Sequence, residues 1–381
     1  MSRSRPTRTS HRRRTVRPWR LSAALAALAV LVAACGGGGP PPPPDAHDVL
    51  LFISNYSDAR IEVMSAESDP AELAANPGLR IADPAFVSVI SAVWGPGDRL
   101  YVSDFALNQI RVYDADDAMS AAAPTPVAII TSPDLVEAYA LAFDGSGNLW
   151  VSDRRGSRDA SPITNRIVKF TAASVAAATG ATSLNAATVI TFDTSTPAFA
   201  YNRITSLTFD EQGDLWFTDV LAWAVYRTTD PGSLTGTVNG HVPTLRLQSV
   251  NFGTPELSDI RNPTSVAVDS DGNLYVGNRG RDKVARFDGA ASLTGDYAGA
   301  ARSADAMLAV GLTNASLVTI APDGAMWIGS SGPSALSQLV RVTGQSTGSG
   351  EVALAPTTQF GWAPGNTNAY HEAGGMTFHV R

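Results

Sequence analysis

The 381 residues carry 28 Lys and Arg against 35 Asp and Glu, a formal charge of −7, and 44% of them are hydrophobic. That acidic balance excludes a nucleic-acid binder working through a basic patch, and a single cysteine excludes an intrachain disulfide framework. The 33 Gly and 24 Pro suit a turn-rich all-β chain, and the length alone allows two or three domains.

Residues 1–34 read as a targeting segment. Eight arginines between Arg3 and Arg20 form a basic region, and residues 21–34 form an apolar run of 14. A spanning helix needs about 20 apolar residues, so this run is short for one. The end of the run, Leu31-Val32-Ala33-Ala34-Cys35, resembles a bacterial lipobox, with small residues before a lone cysteine. The resemblance implies that Cys35 is lipidated and becomes the mature N-terminus. The membrane is then a partner through that lipid, at the outer side of the cytoplasmic membrane or in the outer membrane. The alternative is a plain secretory signal with an incidental cysteine. Residues 35–47 are the Cys followed by a Gly and Pro tether, a spacer that would hold a domain clear of a surface. Loss of the leader removes eight bases and no acid, which moves the formal charge from −7 to −15.

Residues 48–381 are organised by a repeat. Its clearest copy, residues 262–288, is NPTSVAVDSDGNLYVGNRGRDKVARFD. Ser265-Val266-Ala267-Val268 is a first strand, and Asp269-Ser270-Asp271-Gly272-Asn273 a tight turn of residues that accept positive φ. Leu274-Tyr275-Val276-Gly277 is a second strand, and Lys283-Val284-Ala285-Arg286-Phe287 a third, half-buried one. Four further copies begin near Ser91, Tyr139, Ile204 and Leu317. Their second-strand aromatics, Tyr101, Trp150, Trp216, Tyr275 and Trp327, recur every 49 to 66 residues. That period is one four-stranded propeller blade, and Trp150, Trp216 and Trp327 are expected between blades.

A sixth copy is split between the ends. Met376-Thr377-Phe378-His379-Val380 matches a first strand, Leu50-Leu51-Phe52-Ile53-Ser54-Asn55 a second, and Ala59-Arg60-Ile61-Glu62-Val63-Met64 a third. Joining them closes a ring and leaves no sheet edge at the seam. The sequence therefore predicts an all-β, six-bladed β-propeller with four-stranded blades. Its C-terminal strand should pair with Leu50 to Ser54, and Met376 and Phe378 should be largely buried. Residues 171–187 and 343–350 are expected as loops, the first with at most one helical turn.

In such a fold, the ends of the second strands and the entries to the first strands share one face. The second-strand ends are Asn55, Asp104, Asp153, Asp219, Asn278 and Ser330. These side chains either cap the following loop or point at a ligand or cation. The entry positions are Ile90, Tyr139, Thr205, Thr264, Ser316 and Gly374, with Glu137, Asn202, Asn262 and Glu372 two or three residues away. Tyr56, Phe105, Trp223, Tyr370, Arg154, Arg155, Arg279 and Arg281 fall in loops of the same face, where aromatic and Arg side chains favour recognition.

The repeat resembles NHL-type propellers, on Pro263 to Val276 and on Leu100 to Asp104 with Asn108 to Tyr113. The resemblance implies fold and leaves activity open. It is also similar to two enzyme families. The gluconolactonase/senescence-marker family implies a divalent cation such as Ca held by Glu, Asn and Asp near first-strand starts, yet none of the equivalent positions here is a carboxylate. Streptogramin lyase, similar at Leu215-Trp216-Phe217-Thr218, implies a His/Glu pair, for which His371 and Glu372 are candidates. The reading favoured is a lipid-anchored module that binds a protein or small-molecule ligand at the mouth of the ring. On this reading the protein is a monomer, needs no cofactor and binds no nucleic acid. The alternative is a metal-assisted hydrolase or lyase.

Overall fold

A computed structural model describes residues 49–55, 59–65, 79–120, 123–154, 165–192, 203–248, 259–297, 302–330, 338–343, 348–356, 358–361 and 376–380. All lie in the unit Ala46–Arg381.

The strands fall into six consecutive blades, one per sequence repeat. Blade 1 holds β1 (Val49–Asn55), β2 (Arg60–Ser65) and β3 (Leu79–Ile81). Blade 2 holds β4 (Val89–Gly95), β5 (Arg99–Asp104), β6 (Gln109–Asp114), the helix α1 (Ala115–Ser120) and β7 (Ala128–Thr131). Blade 3 holds β8 (Ala138–Phe143), β9 (Leu149–Asp153), β10 (Arg166–Phe170), α2 (Ala172–Ala176), β11 (Gly180–Ser183) and β12 (Thr188–Phe192). Blade 4 follows with β13 (Ile204–Phe209), β14 (Leu215–Asp219), β15 (Ala224–Thr228), β16 (Gly236–His241) and β17 (Leu245–Gln248). Blade 5 has β18 (Pro263–Val268), β19 (Leu274–Asn278), β20 (Lys283–Phe287), β21 (Gly295–Tyr297) and β22 (Ala306–Ala309). Blade 6 has β23 (Ala315–Ile320), β24 (Met326–Ser330), β25 (Gln338–Val342), β26 (Gly350–Ala353) and β27 (Thr358–Gly361). The last strand, β28 (Met376–Val380), returns to blade 1.

The chain is thus a six-bladed all-β propeller, closed as the split repeat predicts. β28 runs antiparallel to β1, with Val49 opposite Val380, Leu51 opposite Phe378 and Ile53 opposite Met376. One expectation needs correction. Met376 and Phe378 are half-buried rather than largely buried. They pack on Leu51, Ile53 and Trp327 on one side, but β28 is an innermost strand and Met376 also faces the cavity at the axis.

The core consists of six apolar clusters, one at each boundary between neighbouring blades. The second-strand aromatics Tyr101, Trp150, Trp216, Tyr275 and Trp327 each belong to one of them and are fully buried. Three have their polar atom satisfied by the aspartate of the preceding turn. Trp150 and Trp216 donate Nε1–H to Asp144 and Asp210 at 2.8 Å, and Tyr275 donates its hydroxyl to Asp269 at 3.0 Å. The other oxygen of each Asp accepts two backbone N–H groups of the turn, which closes around a glycine with φ near 80°.

The blades are not all four-stranded. In blades 2 to 5 the outermost strand gains a fifth, parallel neighbour from the next blade. β11, β16, β21 and β26 pair with β7, β12, β17 and β22. Each leaves its own blade between the third and fourth strands and hooks back onto the blade before. The expected loop at residues 171–187 therefore contains α2, capped by Thr171, and the hook β11.

A common device sets each hook. Its first residue is a glycine in the left-handed region: Gly180 (φ 54), Gly236 (φ 66), Gly295 (φ 106) and Gly350 (φ 76). That glycine's N–H donates to a carbonyl beside the recipient strand at 2.8 to 3.0 Å, from Val127, Ala187, Thr244 and Asp305 respectively. A third-strand cation ties three of the hooks. Lys169 donates to the carbonyls of Gly232 and Leu234, Arg227 to those of Ala291 and Leu293, and Arg286 to that of Gly348.

Candidate functional site

The face carrying the second-strand ends is built around a bulge repeated in every fully described first strand. Register shifts at Val89/Ser91, Ala138/Leu141, Ile204/Ser206, Pro263/Ser265 and Ala315/Leu317. The entry positions Ile90, Tyr139, Thr205, Thr264 and Ser316 are the extra residues. A bulge bends the strand and re-aims a side chain. Here it turns the entry side chains toward the neighbouring blade. Thr264 donates its hydroxyl to the Ser316 carbonyl at 2.6 Å, and Thr205 bonds Thr218 at 2.9 Å and the Pro263 carbonyl at 3.3 Å. The Tyr139 ring is buried between blades 3 and 4.

The second-strand ends lie on this face, as the repeat places them, with their polar atoms taken up by the scaffold. Asp104 accepts from the amides of Val87, Ser88 and Leu107. Asp153 accepts from the amides of Val136 at 2.7 Å and Glu137 at 2.9 Å, and from Arg166 Nε at 2.7 Å. Asp219 Oδ1 accepts from the amides of Arg203, Leu221 and Ala222 at 3.0 to 3.1 Å. Asn278 accepts from the Arg261 amide at 2.7 Å and donates to the Asp259 carbonyl. Ser330 accepts from the Gln338 amide at 2.8 Å. Each ties the end of one strand to the loops around it. Asp219 is fully buried and has no cation within ion-pair distance among the described residues. Burial pushes its carboxyl up to about 6, against the pull of its three backbone donors and Arg203.

The loop residues form a second tier. Arg154 lies over both Phe105 and Tyr139, its guanidinium carbon 5.7 and 5.5 Å from the ring centres. Arg261 lies 5.9 Å from the ring of Trp223, which holds φ 51, and donates to the Gly280 carbonyl at 3.1 Å. Gly280 is required there, because a Cβ would come within 2.5 Å of the Arg261 side chain. Arg279 and Arg281 are half-buried in the single turn that follows Asn278. Cys35, Tyr56, Arg155, Tyr370, His371, Glu372 and the side chain of Asn55 lie outside the described residues.

Below this face, the first strands and β28 enclose a cavity of about 290 Å³. Its lining is Ser, Thr, Ala and larger apolar groups, without a charged or titratable side chain. Three of its hydroxyls join neighbouring first strands. Ser91, Ser206 and Ser265 accept from the amides of Leu141, Val266 and Val318 at 3.1 to 3.3 Å. Among the described residues, no group of three or more His, Cys, Asp or Glu could hold a metal ion.

No family model and no curated protein matches the chain. Solved structures do. A protein of unknown function from Bacteroides caccae is similar with a TM-score of 0.52 at 10% identity, over 88% of this chain and 100% of that one. A chain of a nidogen/laminin complex is similar with a TM-score of 0.51 at 12% identity, over 87% of this chain and 98% of that one. A streptogramin B lyase gives a TM-score of 0.47 at 13% identity, over 90% of this chain and 96% of that one. At such identities the likeness is one of fold.

Proposed function

We propose that the folded part of this chain is a non-catalytic binding module. It takes a protein or small-molecule ligand on the face bearing the second-strand ends, and a lipid on Cys35 holds it at a membrane outside the cytoplasm. One observation carries the binding reading. The polar groups that ring the mouth and line the cavity are largely committed to joining strands and blades, whereas aromatic and Arg side chains stand in the loops above them. A metal-assisted reaction would want several converging oxygen or nitrogen donors near one point. At the described mouth, Glu137 is the carboxylate that no hydrogen bond engages. Leu31 to Cys35, the lone cysteine and the Gly/Pro tether support the anchor.

Two measurements test this reading. The first is metal content of purified residues 48–381 after dialysis, where one tightly held divalent cation per chain would overturn the non-catalytic reading. The second is fractionation of Cys35→Ser. No helix among the described residues is long and apolar enough to cross a membrane, so this variant is expected to leave the membrane fraction. Retention there would refute the lipid anchor.

A further inference from the structure

Blade 3 departs from its neighbours at the mouth. The Arg154 amide donates to the Glu137 carbonyl at 3.0 Å, which sets the two residues side by side. Their side chains nevertheless do not pair. Glu137 Oε2 is buried and accepts no hydrogen bond. Arg154 is held by the Phe105 and Tyr139 rings and has no hydrogen-bond acceptor among the described residues. At the same end, Asn165 is 2% exposed and neither of its side-chain polar atoms has a partner among the described residues.

In blades 2 and 5 the residue at the place of Asn165 is satisfied. Asn108, which stands in blade 2 where Asn165 stands in blade 3, donates to the Leu135 carbonyl at 2.7 Å and accepts from the Ala138 amide at 3.2 Å. Asp282, in blade 5, accepts from the Asn314 amide at 2.5 Å. Arg261, whose amide donates to a second-strand end as that of Glu137 does, gives its side chain to the Gly280 carbonyl.

Unsatisfied buried polar groups are costly, and most are bonded. Here an acceptor and a fork of cationic donors are left open side by side, with an unsatisfied carboxamide at the same end of blade 3. An aromatic pair holds the guanidinium in place, so little ordering entropy is lost when an oxyanion arrives. The chemistry that completes the set supplies an anionic oxygen pair for Arg154 and a hydrogen-bond donor for Glu137. Burial raises the Glu137 carboxyl, and Arg154 and Arg203 draw it back, as expected of a group whose partner is still missing.

We propose that Glu137, Arg154 and Asn165 form a subsite for a small carboxylate with a hydrogen-bond donor on the adjacent carbon, an amino or hydroxy acid. This rests on the binding-module reading and specifies its ligand class. The probes are L-alanine (ammonium beside carboxylate), L-lactate (hydroxyl beside carboxylate) and propionate (carboxylate alone). They are titrated into the protein while the arginine Nε–H and tryptophan indole NMR signals are followed.

Alanine or lactate should shift the Arg154 signal saturably. Propionate should bind at least about tenfold more weakly, the loss expected for one hydrogen bond to a charged group. Arg154→Gln should weaken the favoured probe by a similar factor. Glu137→Gln should weaken alanine more than lactate if the donor is an ammonium, and the two alike if it is a hydroxyl. Neither side chain makes a hydrogen bond among the described residues, so both variants should fold, with Arg154→Gln melting slightly below wild type for the loss of its ring contacts. Equal binding of propionate, unchanged binding by Arg154→Gln, or no shift of Arg154 overturns the subsite. Shifts confined to Trp223 and Arg261 would sink the subsite and leave the binding module standing. Stoichiometric Mn²⁺ broadening of mouth signals, with probe binding dependent on it, would overturn both.

Discussion

Asp219→Asn is the substitution whose outcome the structure constrains most closely. Asp219 is fully buried, and its carboxyl is raised from the usual 3.8 to about 6. In the unfolded chain the same group titrates near 3.8, so between about pH 4 and 6 the native state binds the proton and the unfolded state does not. Stability at this site is therefore greatest at low pH, falls as pH rises through that window, and stays reduced above it. Two units at about 1.4 kcal/mol each make the buried charge unfavourable by about 3 kcal/mol at pH 7. An asparagine keeps the acceptor oxygen to which the amides of Arg203, Leu221 and Ala222 all donate. Blade 5 already uses Asn278 at the same place, accepting from the Arg261 amide at 2.7 Å. Urea unfolding of both proteins at pH 4.5, 5.5, 7 and 8 should give a gap of about 1 kcal/mol at the acid end that widens as pH rises. At pH 7 the variant should be the more stable, by up to about 3 kcal/mol. Parallel pH profiles for the two proteins, or a variant weaker by more than about 1 kcal/mol at pH 7, would refute the argument.

The remaining predictions concern the scaffold. A Cβ at Gly180, Gly236, Gly295 or Gly350 would meet nothing within 4 Å, so alanine there tests backbone strain alone. Each should cost about 1–2 kcal/mol by thermal unfolding, while Gly145→Ala, equally open but without positive φ, should be near neutral. Lys169→Met removes both bonds to the blade 4 hook. It should destabilise by about 1–3 kcal/mol, and limited proteolysis should then cut first within residues 229–244. Deleting residues 374–381 removes the strand paired with β1 and two half-buried side chains. Taking about half the cost of a fully buried residue for each, that packing is worth roughly 2–5 kcal/mol. With the ladder also lost, the product should be insoluble or readily digested, and wild-type melting would disprove the closure.

The blades were legible because burial dictates them. Each second strand packs between two neighbours and needs a large aromatic at one position, and the hairpins of blades 3 to 5 need Asp and Gly at fixed offsets, so the repeat survives in the letters. Closure was legible for the same reason, since Leu51 and Phe378 pair in neighbouring strands and turn into the same core boundary. The hooks were not, because β11, β16, β21 and β26 are exposed strands with no alternating apolar pattern. A sequence trace existed nonetheless. Ser233-Leu234-Thr235-Gly236 recurs as Ser292-Leu293-Thr294-Gly295, and both end on the hook's left-handed glycine. At the mouth, sequence placed Asp104, Asp153 and Asp219 on one face. Capping of the following loop, one of the two readings the sequence offered, holds at Asp104 and Asp219. The entry-loop amides that also take up these oxygens were not legible, because they depend on the path of that loop. Nor did the sequence reveal the open set in blade 3, which is visible only when Asn165 is compared with Asn108.

The hooks and the mouth divide the molecule in a way that bears on how such a face can change. A fifth strand binds each of blades 2 to 5 to its successor at the rim, and serine hydroxyls bind several of the same neighbours near the axis. Adjacent blades are thus joined at both ends of the sheet, with a packed apolar cluster between. The loops of the mouth carry little of that load, apart from the second-strand caps. Arg154 can therefore be exchanged at small cost in stability. Replacing Asp153 would release the Val136 and Glu137 amides together with Arg166. Selection on a ligand should then act through the residues immediately after the caps, and the caps themselves should respond to stability. In blade 3 the two meet, since Asp153 holds the backbone of Glu137 while the Glu137 side chain is left open.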